Sequence, residues 1–155
     1  MRKLILISTH AVMLVVGFAL GVYLLPILTA PDAPDEAQIQ QSSAKAIYSA
    51  EFKKDLEGSD FLHWGEGTVS VTPVQIVHEG ELAPGPDYKL YLAPDFVESE
   101  ESFLALKSQS VQIGDVKTFK GFILDIPEGV DVAAYNTVVV WCEAFGEFIS
   151  AAKYQ

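Results

Sequence analysis

The sequence predicts an all-β fold: a small antiparallel β-sandwich or barrel domain, preceded by one N-terminal transmembrane helix and a short linker helix. Two observations lead to this prediction. Seven or so short apolar or alternating runs follow one another within about 90 residues, and Gly, Pro or acidic turn residues separate most of them. No segment between these runs is both amphipathic and as long as a typical helix, so the strands must bury their apolar faces against each other.

The chain opens with Met1-Arg2-Lys3, and an uncharged apolar stretch follows from Leu4 to Leu28. As a helix this stretch would be roughly 37 Å long, enough to cross a hydrocarbon core of ~30 Å. A cleaved signal peptide has a shorter apolar region and small residues before the cut, whereas Leu28 occupies one of those positions before the best site, after Ala30. We therefore expect an uncleaved, single-pass signal-anchor over residues 1–29, with the N-terminus inside.

The charge distribution indicates where the rest of the chain works. Removing Arg2 and Lys3 from the ten basic residues leaves eight against 21 acidic ones, a formal charge of −13. Nucleic acid and an anionic bilayer face both require basic patches, so these partners are excluded. We expect an extracytoplasmic domain on the inner membrane of a bacterial-type cell, facing the periplasm, with a redox or basic protein as partner. Alternatively, the acidic surface serves solubility alone.

Residues 30–58 are expected to form a linker. The stretch from Thr29 to Ala46 is rich in Pro, Ala, Gln and Ser, which is typical of a tether. After it, Tyr48, Phe52 and Leu56 recur every four residues and a glycine follows, which predicts a short amphipathic helix with a glycine stop.

Residues 59–155 should form one domain of about 100 residues with a modest core. The predicted strands cover Thr68–Val71, Val74–Val77, Tyr88–Leu92, Val111–Val116, Phe119–Ile126, Thr137–Cys142 and Phe148–Ala152. A long surface loop with a helical turn is expected over Pro94–Gln109. In the run VVVWC the residues of both faces are apolar, so this strand should be central and Cys142 largely buried.

Cys142 is the only cysteine. In an exported chain such a thiol is a ligand, a redox centre or a core residue. A reactive thiol requires a cationic neighbour to lower its pKa, whereas Glu143 is adjacent and Glu147 is near. Burial also favours the neutral thiol, and most lone buried cysteines act as small hydrophobic residues. The residues alone leave these three interpretations open.

Histidines were considered as further ligands. His63 begins the HWGEG stretch and His78 is expected in a turn, and either could be a second ligand beside a thiolate. A lone histidine is more often a surface or packing residue than a ligand. The chain has no Cys-x-x-Cys-His motif and no Cys/His cluster spaced for zinc, so covalent c-type haem and a structural metal are not expected.

Three other residues have a structural and a functional interpretation. Asp87 follows Gly85-Pro86, so a turn role in which it bonds backbone N–H groups is favoured over a catalytic one. Lys117 could be the missing positive neighbour of the cysteine, although a solvent-facing position is favoured. Trp141 is expected in the core, where an indole beside a thiol could also shield it or relay an electron.

Five motifs occur in a fixed order: HWGEGTVSV (63–71), GPDYKLYL (85–92), IGDVK (113–117), IP (126–127) and VVVWCEAF (138–145). Together they resemble the DM-thirteen domain, also called the electron-transfer DM domain, over about residues 60–154. The sequence departs from the family pattern at Ile113 and Val116, which replace leucines, and at Leu124, where an aromatic residue is usual.

The resemblance implies a role in electron transfer, with the family cysteine as a naked thiol or as the attachment point of a prosthetic group such as haem. On this pattern Cys142 is that cysteine, Trp141 its neighbour, Asp87 the turn acid and Lys117 the turn lysine. We therefore expect a membrane-tethered redox module rather than a stand-alone enzyme, with Cys142, and His63 more weakly, as cofactor ligands. The alternative is a structural or protein-interaction domain in which Cys142 is inert core.

Overall fold

The computed structural model describes residues 1–155 as a long apolar helix followed by two antiparallel sheets of four strands each. The first sheet has the order β1-β2-β3-β6 and the second β5-β4-β7-β8. The strands are β1 Tyr48–Phe52, β2 Gly65–Val71, β3 Gln75–Leu82, β4 Tyr88–Ala93, β5 Val111–Val116, β6 Phe122–Asp125, β7 Thr137–Cys142 and β8 Glu147–Lys153. This is the predicted two-layer antiparallel architecture, with more helix than the all-β label implies.

The main core lies between the two sheets. It consists of 18 buried residues, among them Val69 and Ile76 of the first sheet and Leu90 and Val140 of the second. The outer face of the second sheet carries a smaller cluster of eight, centred on Phe103 and Trp141. Helix α3, defined below, covers this outer cluster, so β4 and β7 are buried on both faces.

Three α-helices accompany the sheets: α1 Arg2–Thr29, α2 Glu36–Ser43 and α3 Glu100–Leu106. α1 is long and apolar enough to cross a membrane, with a mean hydropathy of 2.5 in its most apolar window, and none of its residues is buried. Ser99 caps the N-terminus of α3, because its hydroxyl accepts a hydrogen bond from the Ser102 N–H. α3 corresponds to the helical turn predicted within the 94–109 segment.

The linker prediction needs two corrections. The helix expected over Tyr48–Leu56 is wrong, since Tyr48–Phe52 is strand β1 and pairs with β2. A spacing of four fits the strand period of two as well as the helical period, and the residues between alternate as Ser49, Ala50 and Glu51. Conversely, the expected tether contains α2.

α2 forms because its N-terminus is capped. The Asp35 carboxylate accepts a hydrogen bond from the Gln38 N–H at 2.8 Å, and the Gln38 side chain accepts one from the Asp35 N–H at 2.9 Å. The Ile39 side chain is buried and would touch a Cβ added at Gly121, so the helix is packed on the first sheet. The linker is therefore folded onto the domain over this stretch.

The expectation that His78 lies in a turn is also wrong, because β3 continues to Leu82 and places His78 inside the sheet. The side chain is fully buried between the rings of Phe52 and Phe122, each centred 5.1 Å away. Its Nε2 lies 3.0 Å from the Glu66 carbonyl oxygen, while Nδ1 has no partner. Burial lowers the pKa of His78 to about 4, although the bond to Glu66 opposes the shift.

We predict that the fold loses stability in mild acid through His78. The unfolded chain binds a proton at this side chain near pH 6.5 and the folded chain only near 4, so unfolding is favoured as the pH falls between these values. The free energy of unfolding should drop by about 3 kcal/mol across this window. Urea denaturation of the chain in detergent at a series of pH values measures it. A His78→Leu variant with the same slope between pH 6.5 and 4 would contradict the assignment.

Gly67 and Gly80 face each other across β2 and β3 and allow the two strands to approach closely. Gly67 has a φ of +115°, and a Cβ added there would lie 2.2 Å from the Glu79 carbonyl oxygen. We predict that Gly67→Ala destabilises the fold by about 3 kcal/mol or more, since it combines backbone strain with a backbone clash. Gly114→Ala is the matched control, because its Cβ would only touch Leu124 at 3.9 Å. Equal losses in urea denaturation would refute this explanation.

Candidate functional site

Cys142 is the last residue of β7, and its side chain is turned into the main core. It is 2% exposed, as the sequence predicted, and it shares this face with Val138 and Val140, whereas Val139 and Trp141 belong to the outer cluster. Its Sγ donates a hydrogen bond to the Pro86 carbonyl oxygen at 3.1 Å. The thiol is therefore held against the turn that precedes β4.

Each residue of that turn has a definable role. A Cβ at Gly85 would lie 2.2 Å from the Tyr88 Oη, so glycine permits the tyrosine ring to fold back over the turn. Pro86 provides the acceptor for the thiol. Asp87 has a φ of +52°, and its carboxylate lies 2.8 Å from the Lys89 Nζ. Asp87 thus lies in the turn, but its carboxylate pairs with Lys89, which Asp115 shares, and not with the backbone N–H groups expected as its partners.

The surroundings of the sulfur keep it protonated. Burial raises the pKa of the Cys142 thiol above its ordinary 9.0, and the negative charges of Asp87 and Glu147 add to the effect. The backbone N–H groups of Phe145 and Ala144 act in the opposite direction, but the net pKa of the thiol remains raised.

A cavity of about 470 Å³ adjoins the thiol. Most of its lining is apolar, and its volume falls in the range of roughly 300–1,000 Å³ that is usual for small-molecule sites. The lining from the domain comprises Leu62, His63, Pro84, Gly85, Pro86, Tyr88, Cys142, Phe145, Glu147 and Ile149, and that from α1 comprises Phe18, Ala19, Val22 and Tyr23. The structure therefore brings together Cys142 and His63, which are far apart in sequence.

His63 is oriented by its neighbour Asp60. The His63 Nδ1 lies 3.0 Å from the Asp60 Oδ2, and the other carboxylate oxygen accepts hydrogen bonds from the N–H groups of Leu62 and His63. Partial burial raises the pKa of Asp60, but these donors outweigh it and the net pKa is lowered. A carboxylate that holds Nδ1–H leaves the Nε2 lone pair free for a ligand, as in many metal-binding histidines.

Trp141 lies on the other side of β7, in contact with Phe103 at 5.0 Å between ring centres. The Lys107 Nζ is 5.1 Å above the indole ring and forms an ion pair with the Glu143 carboxylate at 2.7 Å. Tyr91 also donates a hydrogen bond to Glu143. Burial raises the pKa of Glu143, but the hydrogen bonds from Lys107 and Tyr91 outweigh it, and the net pKa is lowered. This charge therefore faces away from the thiol that precedes it in sequence.

Lys117 is not among the residues around the thiol. Its side chain is 67% exposed, and its Nζ lies 3.6 Å from Asp115. It lines a groove beside the end of α1 that does not include Cys142. The favoured expectation for this lysine, a solvent-facing side chain, agrees with this placement.

The sequence analysis missed several residues of the site. Leu62 and Phe145 form part of the cavity wall although their side chains are 41% and 53% exposed. Phe61, which precedes Leu62, is 84% exposed. Two large apolar residues in the polar stretch GSDFLHW, and a phenylalanine in the turn between β7 and β8, are signals that could have revealed them.

Fold and site together define a two-sheet β domain that presents a single thiol to an apolar cavity. The model of the family described as Electron transfer DM13 matches residues 52–154, which is more than half of the chain. The chain therefore belongs to this family, and the resemblance seen in the motifs is confirmed. No curated protein and no solved structure matches the chain.

We predict that Cys142 of the folded chain reacts with iodoacetamide at neutral pH at least about tenfold more slowly than Cys142 of the chain unfolded in urea. Its rate should still be rising at pH 9, because burial raises the pKa of the folded thiol. The pH dependence of alkylation, read by mass spectrometry, measures both. A plateau below pH 8 would mean that the two N–H donors outweigh burial, and it would overturn the assignment of a neutral thiol.

Proposed function

We propose that this protein is a membrane-tethered, extracytoplasmic electron-transfer module in which Cys142 is the working atom. The observation that supports the proposal most strongly is that Cys142 and the Asp60-oriented His63 line one apolar cavity. Membership of the Electron transfer DM13 family gives the class of function. Within that class, the cavity provides a place where a redox-active guest could meet the sulfur.

The residues of the cavity fit a prosthetic group of the haem type. Cys142 would supply a thiolate ligand, which the N–H groups of Ala144 and Phe145 would support, and His63 would supply the imidazole Nε2. The apolar walls suit a flat, largely hydrophobic guest. Bound there, such a group would supply one-electron redox chemistry, while Cys142 and His63 hold it and the surrounding side chains exclude water.

The tether is inferred from α1. Arg2 and Lys3 precede the apolar helix, and no Lys or Arg follows it until Lys45, a distribution that supports a domain outside the cytoplasm under the positive-inside rule. The acidic domain would then face the extracytoplasmic space of a bacterial-type cell, where a basic redox protein could approach it. We take residues 1–29 as the anchor and 59–155 as the functional domain.

A second candidate function is supported by the burial of the thiol. Cys142 is 2% exposed and bonded to the Pro86 carbonyl oxygen, as an inert core cysteine would be. In that case the domain would be a structural or interaction module, and the acidic segment that contains α3 would make the contacts. The spectrum described next separates the two candidates.

We predict that the chain purified from its native host absorbs visible light, and that Cys142→Ser removes the band. His63→Ala should shift the band or weaken it, because one of the two residues that would hold the group is lost. Lys153→Ala, at an exposed position on β8, is the control and should leave the spectrum unchanged. Circular dichroism checks that all variants are folded.

A colourless wild-type chain would count against the prosthetic group. If, in addition, Cys142→Ala retained its function in the host, the electron-transfer role of this residue would be refuted, and the interaction module would become the better explanation.

A further inference from the structure

Large apolar side chains are exposed at the mouth of the Cys142 cavity. Phe61 is 84% exposed, Phe145 53% and Leu62 41%, and we call these three residues the apolar rim. Leu62 and Phe145 line the cavity directly, and Phe61 precedes Leu62 in the chain. Single exposed apolar residues are common on soluble proteins, but a group around one opening indicates a binding surface.

The wall opposite the rim is part of α1. The helix residues that line the cavity, Phe18 to Tyr23, lie within the apolar stretch and five to ten residues before its last residue, Leu28. At ~1.5 Å per residue this is roughly 8–15 Å from the end of that stretch. If α1 spans a hydrocarbon core of ~30 Å, these residues lie in its outer half, and so does the mouth of the cavity.

The residues around the end of α1 suit the level of the lipid head groups. Trp64 and Lys120 line a groove together with Ile27 and Pro31, and Lys117 lies beside Thr29 in a neighbouring groove. Tryptophan and lysine are favoured at the boundary of a bilayer, where an apolar body or stem meets lipid and a polar tip meets water.

With the exception of Glu147, which also lines the Cys142 cavity and would have to keep its carboxylate at the water-facing edge, the acidic residues near His63 lie around a different opening. Glu57, Glu100 and Glu101 line a groove on the other side of His63, and these carboxylates would have to remain in water. The contact with lipid would therefore depend on apolar insertion and not on charge. It should be weaker on an anionic bilayer than on a zwitterionic one, since the domain is strongly acidic.

We propose that the domain lies on the outer face of the bilayer with the apolar rim inserted, so that the Cys142 cavity opens to the membrane and not to bulk water. The docking requires only that α1 spans the bilayer. If the proposed function also holds, the docking makes the electron partner of Cys142 a molecule that resides in the membrane. It also refines the exclusion of anionic bilayers, because the contact is hydrophobic.

The test uses the full chain with Cys142→Ser and one new cysteine that carries an environment-sensitive dye. Phe145→Cys and Phe61→Cys report on the rim. Val74→Cys is the matched control, since Val74 is an apolar residue that is 64% exposed and directly precedes β3, whose other end, Leu82, lines a groove with Ile27 of α1. The length of the strand puts Val74 roughly 25 Å from Leu82. The chain is reconstituted in phosphatidylcholine vesicles whose acyl chains are brominated.

We expect several-fold stronger quenching at both rim positions than at position 74, and weaker rim quenching when half of the lipid is phosphatidylglycerol. Equal quenching at all three positions would overturn the docking. Two rim positions are used because Phe145→Cys alters the turn next to residue 142, and quenching at Phe61→Cys must agree. Strong rim quenching in a chain whose wild type is colourless would preserve the docking and reject only the prosthetic group.

Discussion

The burial of β7 on both faces determines what Cys142 can do. The strand is paired with β4 and β8, it packs into the main core on one side, and it lies beneath α3 on the other. The residue at its end, Cys142, is 2% exposed, and its sulfur is bonded to the Pro86 carbonyl oxygen. Cys142 also lines the cavity between the domain and α1. Chemistry at this thiol therefore depends on what enters the cavity.

The acidity of the chain affects the thiol less than its sequence neighbours suggest. Glu143 is paired with Lys107 on the opposite face, and Asp87 shares the Lys89 ammonium with Asp115, so the charges of both nearby carboxylates are at least partly compensated. Burial is the main cause of the raised thiol pKa. The prediction of a neutral thiol from adjacent charges had the right direction, but desolvation is the larger reason for it.

The strands and the burial of Cys142 could be predicted because their signals are local. The VVVWC run is apolar in both alternating sets, and this pattern determines a central strand. β1 could not be distinguished from a helix, because Tyr48 and Phe52 have a spacing that both periods allow. The cavity could not be predicted at all. It combines Cys142, His63 and α1, which are distant in sequence, and no local pattern encodes their meeting.

If Cys142 transfers electrons as proposed, an electron could leave the sulfur either across the outer face of β7 or through the cavity. On the outer face the route would pass through the Trp141 indole, which contacts the Phe103 ring. The Lys107 ammonium lies over this indole ring. A cation over an aromatic face is attracted by the ring electrons, and removing one of those electrons would forfeit this attraction. Trp141 is therefore harder to oxidise than an isolated indole. The cavity side has no cation over an aromatic ring, contains the imidazole of His63 held by Asp60, and adjoins the apolar helix α1. These features favour transfer through the cavity, with Trp141 as a packing residue that isolates the thiol from the outer face.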